Sequence, residues 1–302
     1  MDRPGPGGHR PLRVLAWPAD ANRTGNPYNA LLADGLRALG VEVDEFTPRR
    51  LLRGRYDVWH AHWPDGALRG AAPRAAAGAA ATLALAAAAK ARGTRVVWTV
   101  HNLRAHGAPH PAVEKAFWAG WTRAVDGSLH LGPAARRAAL EAFPALRAKP
   151  SFVVPHPHYR GAYGPPVPAA EARARLGLPA DARVIVYVGH VRPYKAVPAL
   201  VRAFRQLDDP AARLLVAGRP ATDALGREIA EAAAGDVRVV LRPEVVPDAE
   251  IPAVVGAADV VALPYAEVLN SGAALLALSL DRPVLVPARG AMADLREDVG
   301  AE

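Results

Sequence analysis

The 302-residue sequence has no cysteine. That excludes disulfide stapling, thiol catalysis and cysteine-ligated zinc or iron–sulfur centres, and it is compatible with a cytosolic address. Lysine is nearly missing too: it occurs only at positions 90, 115, 149 and 195, so arginine carries almost all the positive charge. There is no long hydrophobic run. The most apolar stretch, Ala75 to Ala89, is mostly alanine and falls short of the ~20 residues that span a bilayer, so it reads as a surface or core helix. The start, Met1 to Arg10, is Pro/Gly-rich and polar, without the apolar core of a signal peptide. Three motifs are also missing: G-x-G-x-x-G, G-x-x-x-x-G-K-[ST] and G-x-S-x-G. A NAD dehydrogenase, a P-loop NTPase and an α/β-hydrolase thereby lose their main support.

What is present describes a globular chain. Hydrophobic residues make up 51% and charged residues 22%, enough to bury ordinary cores, and the length suggests about two domains. The net charge of +8 is unevenly spread. Residues 1–158 hold 21 Lys and Arg against 11 Asp and Glu, whereas residues 159–302 hold 16 against 18. One basic half beside a near-neutral one points to a face that meets something anionic: nucleic acid, an anionic membrane surface or a phosphorylated substrate.

Short β-branched or apolar runs alternate with helical stretches. Strands are expected at Arg13–Trp17, Val41–Phe46, Asp57–His60, Arg95–Val100, Ser128–Leu131 and Phe152–Pro155. Helices are expected near 27–39, 71–92, 111–124 and 133–142. Pro155–Pro168 breaks the rhythm with five prolines and two glycines and reads as an interdomain linker. The alternation then restarts, with strands at Val184–Val188, Arg213–Ala217, Val237–Leu241, Val260–Leu263 and Val284–Pro287, and helices at 197–207, 221–234, 248–257 and 272–280. Repeated βα units predict an α/β fold of two doubly wound, Rossmann-like domains, 1–158 and 159–302, with a hinge at about 155–168.

In such sheets ligands bind beyond the carboxyl ends of the strands. After the strand at 184–188 comes Gly189-His190-Val191-Arg192-Pro193-Tyr194-Lys195, which puts two cations in one loop. Farther on, Asn270-Ser271-Gly272-Ala273 precedes an apolar helix, where small residues leave backbone N–H groups at a positive helix end. Together these elements suit a diphosphate. Taken singly, each is more economically a pair of solvated charges or an ordinary N-cap.

These motifs, with their neighbours, resemble the GT-B glycosyltransferases, broadly of the family-4 type that uses nucleotide-sugar donors. The resemblance rests on GHVRPYK (189–195), LLVAGRP (214–220), AADVVALPY (257–265) and NSGAALLALSLDRPVLVP (270–287) in the second half. In the first half it rests on RTGNPYNALLADGLRALGVEV (23–43), DVWHAHWPD (57–65) and VVWTVHN (96–102). It covers nearly the whole chain in the family's order and implies two domains facing a cleft. It puts Lys195, supported by Arg192, on the donor phosphates, with Ser271 and Gly272 offering backbone N–H groups to the same diphosphate. Gly25 and Asn26 would approach the donor from the first domain, and the nucleobase would lie along 217–219, including Arg219, and 241–246. His101 matches the histidine that faces the transferred sugar and is the candidate base. From their own position, His62, Trp63 and Asp65 end a first-domain strand and are the candidates to contact an acceptor sugar, with plain packing of Trp63 the alternative.

Two departures point to a divergent bacterial branch that resembles enzymes building lipid-linked or exported polysaccharides. The family's pair of glutamates seven residues apart is not intact: the second falls at Leu276, and Glu267, one position from the first, is the candidate to replace it. The usual arginine after the glycine is His190, leaving Arg192 to compensate. The chain also stops soon after a loop that in such enzymes precedes a last strand and a helix crossing back onto the first domain, so a truncated chain is expected.

The expected activity is transfer of a hexosyl group from a nucleotide-diphosphate sugar to a glycan or lipid-linked acceptor. No tightly bound metal and no nucleic acid are expected. The expected location is cytoplasmic, peripheral at the inner face of the membrane. Rival readings are a GT-B-fold nucleotide-sugar epimerase or hydrolase and, on the basic half alone, a nucleic-acid-binding protein, which no recognised motif supports. Nine of ten histidines precede residue 160, among them His60, His62, His101, His106, His110, His156 and His158. Cleft lining is favoured over a metal site, because carboxylates at supporting spacing are lacking. Val113, Phe117 and Trp121, with Trp118 beside them, form an aromatic stripe whose default role is core packing and whose functional alternative is an interfacial helix.

Overall fold

A computed structural model describes residues 10–105 and 110–300; His106 and the terminal Ala301 and Glu302 lie outside the described residues. The chain divides into two compact units, Met1–Pro155 and His156–Glu302.

The first unit is built on six parallel strands: β1 (Arg13–Trp17), β2 (Glu42–Glu45), β3 (Val58–Ala61), β4 (Arg95–Thr99), β5 (Gly127–His130) and β6 (Ser151–Val153). Their spatial order is β2-β1-β3-β4-β5-β6. Five helices connect them: α1 (Tyr28–Ala38), α2 (Pro48–Arg53), α3 (Ala72–Ala91), α4 (Pro111–Ala124) and α5 (Pro133–Ala142). Part of the proline content is explained here. Pro48, Pro73, Pro111 and Pro133 stand in the first turns of α2 to α5, where a missing N–H loses no helical bond.

The aromatic stripe of α4 faces the core. Phe117, Trp118 and Trp121 are buried; Trp118 stacks on Trp98 at 5.1 Å and Trp121 meets Trp59 edge-on at 5.9 Å. These rings are committed to packing, and the interfacial-helix alternative does not hold for them. By length and composition alone α3 is long and apolar enough to cross a membrane. In this fold it packs on α4 and on the 3₁₀ turn Pro64–Leu68. The approach to that turn is close: a Cβ at Gly78 would lie 2.3 Å from the Ala67 carbonyl oxygen.

The second unit has five parallel strands: β7 (Arg183–Val188), β8 (Ala212–Ala217), β9 (Val239–Arg242), β10 (Val260–Ala262) and β11 (Val284–Leu285). They run in the order β11-β10-β7-β8-β9. Its helices are α6 (Ala169–Leu176), α7 (Val197–Phe204), α8 (Asp223–Ala233), α9 (Ile251–Gly256), α10 (Gly272–Ser279) and α11 (Ala291–Val299). Arg173 on α6 holds both oxygens of Asp259 at 2.8 Å, and the same carboxylate accepts the Val184 N–H at 2.7 Å. One buried guanidinium thus ties a helix to the entry of two strands.

The proline-rich segment is anchored to this second unit. The Tyr159 N–H donates to Ser279 Oγ at 2.8 Å, Arg160 pairs with Asp281 at 2.6 Å, and a Cβ on Gly256 would lie 2.4 Å from the Val167 carbonyl. Side chains far along the sequence thus fasten residues 159–167 of the expected interdomain linker to the second unit.

Candidate functional site

In the second unit the loops after β7, β8 and β10 are laced together. Val191 donates its N–H to the Arg219 carbonyl at 3.0 Å, Ala221 returns one to Val191 at 2.9 Å, and Ala266 donates to the Tyr194 carbonyl at 2.8 Å. The approach of the two chains just beyond the ends of β7 and β8 needs glycine. Gly218 has φ +151, and a Cβ there would lie 2.0 Å from the Gly189 carbonyl oxygen.

This lacing fixes Lys195. The residue ends the 3₁₀ turn Pro193–Lys195, after which Ala196, at φ 50, turns the chain into α7. Its Nζ lies 5.4 Å from the centroid of the Tyr265 ring. Burial, and then the neighbouring Arg192, lowers its pKa to about 8. Tyr265 is buried in the loop that leads to α10, and at the start of that helix Ser271 Oγ accepts the Ala274 N–H at 3.2 Å and caps it. The cation's loop and the capped helix N-terminus thus lie at the carboxyl ends of the neighbouring strands β7 and β10. A desolvated ammonium is suited to an anion that replaces its lost hydration, and a helix N-terminus suits the same charge.

The other residues expected on the donor take different positions. Arg192 is half-buried in the same loop, while Arg219 and Glu267 are exposed. Three residues that sequence reasoning did not assign stand at the start of α10. Tyr159 Oη would be 3.0 Å, and His156 Nε2 3.8 Å, from a Cβ added to Gly272. Asn270 has both side-chain polar atoms buried without a hydrogen-bond partner among the described residues. Only the placement of 156–159 against α10 exposes the first two; Asn270 sits inside the quoted motif but carries no charge to single it out.

In the first unit, the carboxyl ends of neighbouring strands β3 and β4 carry the other set. His60 pairs in register with Val97, and its Nε2 shares a 2.7 Å hydrogen bond with Thr99 Oγ1. Just beyond the strand ends, His62 Nδ1 and His101 Nε2 are 3.0 Å apart and share one hydrogen. Trp63 stacks on His101 at 4.4 Å with 25° between planes. Tyr28 presents its edge to both His101, at 5.2 Å, and His62, at 5.7 Å.

His62 and Asp65 are only 2% and 6% exposed, whereas Trp63 and His101 are half-buried. Burial lowers His60 to about 4, and burial with His60 and His101 nearby holds His62 well below the ordinary imidazole range, so both are neutral at pH 7. Among the described residues no group of three or more His, Asp or Glu could hold a metal ion. Gly25 is exposed and Asn26 half-buried on the turn before α1, where Asn26 donates its N–H to the Asn22 carbonyl at 3.3 Å.

Two open parallel sheets, each flanked by helices in a Rossmann-like unit, are the architecture of the GT-B fold. A family model described as glycosyl transferases group 1 matches residues 182–300. The chain is 33% identical over 296 residues to a GDP-mannose:glycolipid 4-beta-D-mannosyltransferase of Xanthomonas campestris pv. campestris, covering 96% of this chain and 77% of the relative. In fold it is similar to sucrose-phosphate synthase from Thermosynechococcus elongatus, with a TM-score of 0.71 at 18% identity over 96% of this chain and 85% of the other. It is likewise similar to Anabaena HepE in complex with UDP-glucose, with a TM-score of 0.65 at 16% identity over 94% and 82% of the two chains. The chain belongs to the group 1 glycosyltransferases. It is a hexosyltransferase that uses a nucleotide sugar.

Proposed function

We propose that the chain transfers a mannosyl group from GDP-mannose to a lipid-linked glycan, working as a peripheral protein at the cytoplasmic face of an anionic membrane. The observation that carries donor and acceptor is the 33% identity, across 96% of the chain, to a mannosyltransferase named for both. The basic half supports the anionic surface. Arg49, Arg53 and Arg55, on and after α2, have no acidic partner among the described residues, and Leu52 between them is exposed.

The chemistry divides between the units. As the glycosidic bond breaks, the leaving diphosphate gains charge; Lys195, Arg192 and the N–H groups at Ser271 and Gly272 stabilise it. Asn270 takes a sugar or ribose hydroxyl where the family's glutamate pair is broken, its amide supplying both a donor and an acceptor. His101 takes the proton of the acceptor hydroxyl, and the stacked Trp63 offers a face to the acceptor sugar.

Thermal shift with a panel of nucleotide sugars, followed by transfer to a glycolipid acceptor, tests the reading. A bound donor stabilises the fold by mass action, so GDP-mannose is expected to give the largest shift and to be turned over. A shift and turnover with UDP-glucose alone would overturn the donor assignment.

A further inference from the structure

We propose that His62 is the positioning residue for His101. Its buried Nδ1 accepts the His101 Nε2–H and so holds His101 in the tautomer whose Nδ1 takes the acceptor's proton. This rests on the reading of His101 as the base, and it gives His62 a role other than touching the acceptor.

The observations start from the sheet. Because β3 and β4 are neighbours, residues 39 apart in sequence come to share a 3.0 Å hydrogen bond. His62 has almost no surface to offer a sugar, since it is 2% exposed. What it does touch holds it still: the His60 ring lies 4.2 Å away, and His60 is itself pinned by its 2.7 Å bond to Thr99. On the far side of the bond, the stacked Trp63 and the edge-on Tyr28 restrict rotation of His101. Both rings of the pair are therefore oriented by packing, and the hydrogen between them sets the tautomer.

A neutral imidazole has one N–H and one lone pair, so the bond decides which nitrogen of His101 carries hydrogen. If His62 donated, His101 would carry its own hydrogen on Nδ1 and present no lone pair there. If His62 accepts, Nδ1 is the basic nitrogen. A neutral partner suits this place better than a carboxylate, which would leave a buried negative charge whenever His101 is neutral. In the step itself the acceptor oxygen bonds to the anomeric carbon, and the bond from that carbon to the diphosphate oxygen breaks with its electron pair leaving on the diphosphate. The hydroxyl proton passes to His101 Nδ1, while Nε2–H keeps its bond to His62 and spreads the new charge.

The test compares His62→Leu with His62→Asn, whose side-chain oxygen can stand near the Nδ1 position, and records nitrogen-15 spectra of histidine-labelled protein. His62→Leu is expected to lower kcat roughly 10- to 100-fold, the scale of losing an outer-shell orienting partner, with KM for donor and acceptor unchanged. His62→Asn should recover most of that kcat, and wild-type His101 should appear as the Nε2–H tautomer. An unchanged kcat in His62→Leu, or a wild-type His101 carrying its hydrogen on Nδ1, would overturn the proposal. The wild-type spectrum needs no variant to fold. His101→Ala at full kcat would instead remove the base reading and leave the tautomer result standing.

Discussion

Lys195 shows how one residue's environment becomes a binding property. Burial and Arg192 lower its pKa to about 8, so near neutral pH the ammonium is charged but poorly solvated, and a diphosphate restores what it lacks. Lys195→Ala should weaken GDP-mannose binding by about 1.5–3 kcal/mol, the range for a hydrogen bond to a charged group; calorimetry showing unchanged affinity would remove the phosphate assignment. The sign of the pH effect follows. Above pH 8 the free protein carries a neutral Lys195 and must take up a proton to bind, so affinity falls by up to about tenfold per pH unit. The doubly esterified diphosphate of a nucleotide sugar does not titrate there, so the part of the slope between pH 8 and 9 that disappears in Lys195→Ala belongs to Lys195. Asn270→Ala should raise the donor KM without changing kcat, because its two buried amide atoms have no other partner among the described residues; an unchanged KM would mean that the amide does not meet the donor.

At the scale of elements, strands β7 and β8 meet where neither glycine can be replaced cheaply. Gly218→Ala would put a methyl group 2.0 Å from the Gly189 carbonyl oxygen in a backbone region L-residues avoid. It should therefore lower the melting temperature and loosen the loop that carries Lys195; an unshifted melting curve would contradict the close approach. Element length also decides what could be read beforehand. The buried strands announce themselves as β-branched runs, and Lys195 and Ser271 stand inside contiguous motifs. Helix α2, six residues long, is too short to show a period, although Thr47 before Pro48 is a cap signal and its hydroxyl does accept the Arg50 N–H at 3.1 Å. Helix α6 was hidden by the prolines that precede it, despite Gly177 closing it in the left-handed conformation. The His62–His101 bond and the approach of Tyr159 to Gly272 were not legible at all. Each joins residues that only the order of strands, or the docking of a segment on a distant helix, brings together.

For the whole molecule, the excess of arginine and the burial of histidine act in different pH windows. Several carboxylates are engaged: Asp57 is held below the ordinary range first by its hydrogen bonds to Arg10 and the Arg13 N–H, and Asp236, bonded to Arg238, is lowered to about 2. These groups have depressed folded pKa values, so what they contribute is lost only as the pH falls below about 4, through their folded values. The buried histidines respond earlier. His60 and His130 are both lowered to about 4 from 6.5, and burial lowers His62 and His156 in the same direction. Between pH 6.5 and 4 the unfolded chain binds more protons than the folded one, so stability falls as the pH drops through that window. For His60 alone the difference is on the order of 3 kcal/mol at about 1.4 kcal/mol per pH unit. Urea midpoints should therefore decline steadily from pH 7 to pH 4.5, before any ion pair is titrated, and then drop again below pH 4. A midpoint that stays flat down to pH 4.5 would mean that these imidazoles accept protons inside the folded protein, and the neutral His60 and His62 required behind His101 would go with it.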